Sequence, residues 1–82
     1  MQLDILTPDA SIFSGEVQSS TLPGSNGSFQ ILNSHAPLVS ILDEGQLVYV
    51  DASGQTETLQ ITGGMVEVNN NKIVVLADGV VE

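Results

Sequence analysis

The 82-residue chain has no cysteine, no arginine and only one lysine, Lys72. Without cysteine it can form no disulfide framework and no thiolate metal site, and it has no cysteine nucleophile. Ten acidic residues against that lysine give a formal net charge of −9. Because binding to nucleic acid or to anionic lipid headgroups requires a basic surface, we expect neither kind of partner.

Aromatic side chains and long apolar runs are scarce as well. The chain has two phenylalanines, one tyrosine and no tryptophan, too few for a base-stacking platform. No apolar run approaches the roughly 20 residues that a helix needs to span a bilayer, so we expect no membrane insertion. The N-terminus shows no basic region followed by an apolar stretch, and the predicted compartment is therefore the cytoplasm.

The chain does contain a series of short segments in which apolar and polar residues alternate. This alternation is typical of half-buried β-strands, and no window carries an apolar stripe of helical period and length. Turn-forming residues separate the segments, among them Pro8-Asp9, Pro23-Gly24, Gly63-Gly64 and Asn69-Asn70-Asn71. Asparagine tolerates the left-handed conformation, so the Asn run predicts a tight hairpin joining Val66–Val68 to Ile73–Val75. Eight or more such strands predict an antiparallel sandwich or barrel in one domain over residues 1–82.

His35, the only histidine, is the first candidate for chemistry. Its neighbour Ser34 has no Gly-x-Ser-x-Gly motif around it, and no second histidine or cysteine stands at metal-ligand spacing. We therefore predict no catalytic residue, no cofactor and no metal, and interpret His35 as a loop residue that bonds locally or contacts a partner. A hydrolase using Ser34 and His35 stays as an alternative, in which His35→Ala would abolish turnover.

Two other features have structural explanations. The glycine-rich stretch 23–28 lacks the lysine of a P-loop and continues as a strand, which favours a turn over a phosphate cradle. Glu67 lies between Val66 and Val68, so the two-residue period of a strand turns it towards solvent or a partner. The residues alone thus predict an acidic, cytoplasmic, all-β interaction module.

Several short motifs, taken in order, match a known family. They are Leu3-Asp4-Ile5-Leu6-Thr7-Pro8-Asp9, Ile12-Phe13-Ser14-Gly15-Glu16-Val17, Leu22-Pro23-Gly24, Gly27-Ser28-Phe29-Gln30-Ile31-Leu32, His35-Ala36-Pro37-Leu38-Val39, Gly63-Gly64-Met65-Val66-Glu67-Val68 and Asn71-Lys72-Ile73-Val74-Val75-Leu76-Ala77-Asp78. In order and spacing, over nearly the whole chain, they resemble the epsilon subunit of the F-type ATP synthase.

This resemblance implies a fold, partners and a location. The fold is an antiparallel β-sandwich of about ten strands at the foot of the central stalk, bound to the gamma subunit and resting on the c-ring. The complex couples proton or sodium-ion flow to ATP synthesis; epsilon does no bond chemistry and transmits torque. The implied location is the cytoplasmic side of the bacterial inner membrane, peripheral through the complex.

The resemblance also implies contact residues. The implied c-ring contacts are Gly27, Ser28 and His35, and the implied gamma contacts are Thr7, His35 and Ser40. Many relatives carry an acid at the position of Ser28, so this chain lacks one charge-assisted ring contact.

The chain departs from the family pattern at its end. Typical bacterial members continue into a helical hairpin that can inhibit ATP hydrolysis and in some relatives binds ATP, whereas this sequence stops four residues after Asp78. We therefore expect no C-terminal helical hairpin and no bound nucleotide. On this expectation the chain is a natural short form of the subunit, and the alternative is a truncated product. The alternative function is a free-standing β-sandwich module that binds a small ligand.

Overall fold

The computed structural model describes residues 1–81, which form nine β-strands with their connecting turns and loops and no helix. The strands are β1 (Gln2–Leu6), β2 (Ser11–Gly24), β3 (Gly27–Leu32), β4 (Leu38–Leu42), β5 (Gly45–Asp51), β6 (Thr56–Ile61), β7 (Gly64–Asn69), β8 (Lys72–Ala77) and β9 (Val80–Val81). The predicted all-β sandwich is confirmed, with nine strands in place of about ten. None of the described residues belongs to a helix able to cross a membrane.

The strands are hydrogen-bonded in the order β1-β8-β7-β4-β2-β5-β6-β9, and β3 is added beside β2. The two layers share β2, whose first half pairs with β1 and whose second half pairs with β3 and β5. Fourteen extended residues would span about 46 Å, but the molecule measures 26 Å along its longest axis. β2 therefore bends, and its register with β5 shifts between Val17 and Ser19.

The structure corrects two details of the prediction. Pro23 and Gly24, predicted as a turn, lie inside β2, and the chain reverses at Ser25-Asn26 because Gly24 pairs with Gly27. The sheet is not wholly antiparallel, since β1 and β8 run parallel from Gln2↔Lys72 to Leu6↔Leu76. This pairing joins residues about 70 positions apart, so no local pattern encodes it.

The core consists of the alternate residues that face the space between the layers. Its buried apolar members are Leu3, Ile5, Val17, Leu22, Ile31, Leu42, Leu47, Ile61, Val66, Val68, Ile73, Val75 and Ala77. Ser20 is the one buried polar residue among them, and its hydroxyl has no hydrogen-bond partner within residues 1–81. The alternation that buries these residues in β1, β7 and β8 turns the residues between them outward.

Candidate docking surface

Four neighbouring strands, β4, β7, β8 and β1, carry an outward-facing surface that we call the outer face. Register places its side chains in rows: Ile41, Met65, Leu76 and Leu6 in the first, then Val39, Glu67, Val74 and Asp4, then Asn69, Lys72 and Gln2. The first row is entirely apolar, the second is mixed, and the third is polar. The surface therefore grades from apolar to polar along the strands.

The apolar part of the outer face is exposed to an unusual degree. Val39, Ile41 and Leu76 are 63%, 59% and 47% exposed. Four strands spaced about 4.8 Å apart, over about five residues each, give the whole outer face, with its polar end, an area of roughly 300 Å². Contiguous exposed apolar side chains that are bordered by polar residues often mark an interaction site. A standard interface buries about 800 Å² per partner, so a partner must also contact the neighbouring loops.

The polar end of the outer face is held by a network around Asp4. Its Oδ1 accepts hydrogen bonds from the Ser14 hydroxyl at 2.7 Å and the Gln2 side-chain amide at 3.0 Å. Its Oδ2 lies 3.6 Å from the Lys72 Nζ. These contacts, the Ser14 hydrogen bond foremost, lower the pKa of the Asp4 carboxyl. Asp4 is thus satisfied within the chain, and it engages the only lysine.

Glu67 lies at the centre of the outer face, between Val39 on β4 and Val74 on β8. Its exposure confirms the prediction that it faces solvent or a partner. It also lines both shallow grooves found on this face, of about 330 and 310 Å³. Open grooves of this kind do not enclose a small ligand.

The loop between β3 and β4, which carries His35, is fixed to the β7–β8 hairpin by Asn71. The Ser34 backbone N–H donates to Asn71 Oδ1 at 2.8 Å, and Asn71 Nδ2 donates to Asn33 Oδ1 at 2.9 Å. Asn70 and Asn71 have φ values of 52° and 61°, as expected for the predicted tight hairpin, which is confirmed. The hairpin therefore holds the His35 loop next to the first residue of β4.

The chemistry expected of a hydrolase is not present at His35. Its Nδ1 lies 2.7 Å from the carbonyl oxygen of Ala36, and within residues 1–81 no hydrogen bond joins it to Ser34. The same described part of the chain contains no group of three His, Asp or Glu residues that could hold a metal ion. The site offers contact surface and no reactive arrangement.

The structure divides the predicted contact residues between two ends of the sheet. Gly27 and Ser28 follow the β2–β3 turn, beside the end of β4, where Gly24 pairs with Leu42. His35 lies just before the start of β4, about 13 Å away along that strand. Thr7 follows β1, at the same end as Gly27 but three strands across from β4. Of the three predicted gamma contacts, His35 and Ser40 are five residues apart in the chain, and Thr7 lies away from both.

Ser40, a predicted gamma contact, lies on the opposite side of β4 from the outer face. It pairs with Val66 of β7 and shares the inward side of β4, where it is half-buried. Its neighbours Val39 and Ile41 point outward in its place. Sequence reasoning overlooked these two residues, although a nearly continuous apolar segment from Leu38 to Leu42 was a signal that both sides of β4 are apolar.

A family model places the chain among known proteins. The model for the β-sandwich domain of the ATP synthase delta/epsilon chain matches residues 1–82. The chain belongs to this family. Its relatives include the ATP synthase epsilon chain of Wolinella succinogenes, 43% identical over 81 residues, which are 99% of this chain and 62% of the relative. The ATP synthase epsilon chain of Chlorobaculum tepidum is 44% identical over 95% of this chain and 89% of its own length.

Solved structures agree with this membership. A chain in the Euglena gracilis mitochondrial ATP synthase, solved as OSCP/F1/c-ring, has a TM-score of 0.89 and 25% identity, over 96% of this chain and 51% of its own. A chain of the Tetrahymena thermophila mitochondrial ATP synthase, solved as central stalk and c-ring, shares the fold with a TM-score of 0.82 and 20% identity. The match covers all of this chain and 66% of the length of the Tetrahymena chain. The chain thus spans about 62% of the Wolinella relative and half of the Euglena chain.

Proposed function

We propose that the chain is the β-sandwich of an ATP synthase epsilon subunit and acts as a non-catalytic docking module of the central stalk, where it joins the gamma subunit to the c-ring. The observation that carries this proposal is the outer face, a patch that exposes Val39, Ile41 and Leu76 on a rigid sheet. Membership of the epsilon family supports it. In this role the chain transmits torque during ATP synthesis, and it needs no bound nucleotide, metal or cofactor.

The two ends of the sheet suggest how the partners are divided. We assign the gamma subunit to the outer face together with the His35 loop, because this loop continues directly into β4. We assign the c-ring to the exposed start of β3, where Gly27 and Ser28 follow the β2–β3 turn, about one β4 length away. Thr7 lies at that same end, so its predicted gamma contact requires a gamma surface that extends across all four strands.

The proposed location follows from these partners. Bound to the gamma subunit and the c-ring, the chain lies at the cytoplasmic face of the inner membrane without entering it. A free-standing ligand-binding module is less well supported, because the grooves on the outer face are shallow and open and only three aromatic side chains are available to line a pocket.

Co-purification with the cognate gamma subunit tests the proposal. The native chain should co-purify at near-equal stoichiometry, Ile41→Asp should lose most of that binding, and Thr58→Asp on β6 should keep it. Both substituted positions are exposed in strands, so neither change should unfold the chain, which circular dichroism would verify. A native chain that does not bind gamma at micromolar concentration would contradict the proposal.

A further inference from the structure

Glu67 is the one charged side chain set among the apolar residues of the outer face. Val39 and Val74 flank it on the neighbouring strands, and Met65 lies two residues away on β7. Exposed acids are common on loops, but a carboxylate enclosed on three sides by apolar side chains interrupts an otherwise continuous docking patch. A partner that covers the apolar residues must also cover Glu67.

The chain itself provides no counter-charge for this carboxylate. Lys72, the only lysine, is the nearest candidate, and it lines a groove together with Glu67. Its Nζ is nevertheless engaged with Asp4, and within residues 1–81 no hydrogen bond or ion pair reaches Glu67. The two acids of this face therefore differ: Asp4 is satisfied internally, and Glu67 is available to a partner.

The cost of covering an unpaired carboxylate restricts the chemistry of that partner. Removing a carboxylate from water without a cation or donors is strongly unfavourable. A second copy of this chain would bring another −9 and a lysine already paired with Asp4, and nucleic acid and anionic lipid would also repel the face. The remaining occupant is a protein surface that supplies a cation.

We propose that the outer face docks a protein surface on which one Lys or Arg side chain lies among apolar side chains, and that this cation pairs with Glu67. Arginine suits the position best, because its planar guanidinium can bond both carboxylate oxygens while its stem packs on Val39 and Val74. Glu67 then determines specificity, since a partner with an apolar or acidic residue there would leave it unpaired. This inference rests on the proposed function, and the protein that we would test is the gamma subunit.

The test measures the affinity of the full chain for purified cognate gamma subunit by calorimetry, at low and high salt. Glu67→Gln keeps the shape of the side chain and removes its charge. The matched control is Glu57→Gln, because Glu57 is an exposed acid in β6 that lies off the outer face. We expect Glu67→Gln to weaken binding at low salt by about 30-fold or more, as for loss of one partner of a buried charge pair. It should also weaken the salt dependence of the affinity, and Glu57→Gln should change neither.

Each result bears on a different claim. Binding by the Glu67→Gln chain with unchanged affinity and salt dependence would overturn the inference and leave the proposed function standing. Equal losses in Glu67→Gln and Glu57→Gln would also overturn it, because the effect would then reflect net charge alone. A native chain that fails to bind gamma would overturn the proposed function and, with it, the inference.

Discussion

Replacement of Gly64 by alanine should unfold much of the protein, because two separate penalties meet at this residue. Gly64 has a φ of +148°, where a residue with a Cβ is strained; such strain costs about 1–3 kcal/mol. A Cβ there would also lie 2.2 Å from the Leu76 carbonyl oxygen and 2.9 Å from the Ala77 Cα. Both of these atoms belong to the backbone of β8, so relief requires β7 and β8 to separate.

Gly27→Ala separates the two penalties. Gly27 has a φ of +122°, but a Cβ added there meets no atom within 4 Å, so this variant has the strain without the clash. We expect a loss of about 1–2 kcal/mol for Gly27→Ala and about 4 kcal/mol or more for Gly64→Ala. The latter approaches the whole stability of a small domain.

Urea unfolding measures this difference. The fluorescence of Tyr49, the only tyrosine, reports on the packed state because its ring lies 4.5 Å from that of Phe13; far-UV circular dichroism provides an independent signal. Similar losses in Gly64→Ala and Gly27→Ala would refute the reasoning, since the close approach of β7 to β8 would then contribute nothing.

Three further predictions concern single polar residues. Ser20→Ala should stabilise the fold by about 1 kcal/mol, measured as a higher midpoint in urea, because it removes a buried hydroxyl that has no partner within residues 1–81. Asn71→Gly should speed hydrogen exchange in the β3–β4 loop, whereas Asn70→Gly, a left-handed neighbour that donates no bond to this loop, should not. Hydrogen bonds, that from the Ser53 hydroxyl foremost, lower the pKa of Asp51. The ionised Asp51 carboxylate therefore stabilises the fold fully above its ordinary pKa of 3.8, and this stabilisation is lost as the pH falls through its lower pKa in the folded state. Asp51→Asn should accordingly make the unfolding midpoint in urea less sensitive to acid.

Local patterns predicted the parts of the fold that depend on neighbouring residues. The Asn69–Asn71 hairpin follows from the tolerance of asparagine for positive φ, and the outward position of Glu67 follows from the period of two along β7. The parallel pairing of β1 with β8 could not be predicted, because it joins residues about 70 positions apart. The bend that carries β2 from one layer to the other was missed for the same reason.

For the candidate site too, the sequence did not predict which side chains of β4 face outward. Ser40 was a predicted gamma contact, but its pairing with Val66 turns it inward and exposes Val39 and Ile41. The alternation along β4 fixes which residues share a side, and only the register with β7 decides which side faces out. The contact roles of Thr7, His35 and Ser40 stay predictions, and the structure adds that Thr7 and His35 lie at opposite ends of the sheet.

The most direct test of the account is whether the outer face becomes covered on assembly. The chain has no cysteine, so Val39→Cys introduces a unique thiol on this face, and Thr56→Cys introduces one on β6 as the control. The rate of maleimide labelling should fall at least tenfold at position 39 when the gamma subunit and c-ring are bound, and it should change little at position 56. Equal labelling of Val39→Cys in the free and bound states would contradict the account.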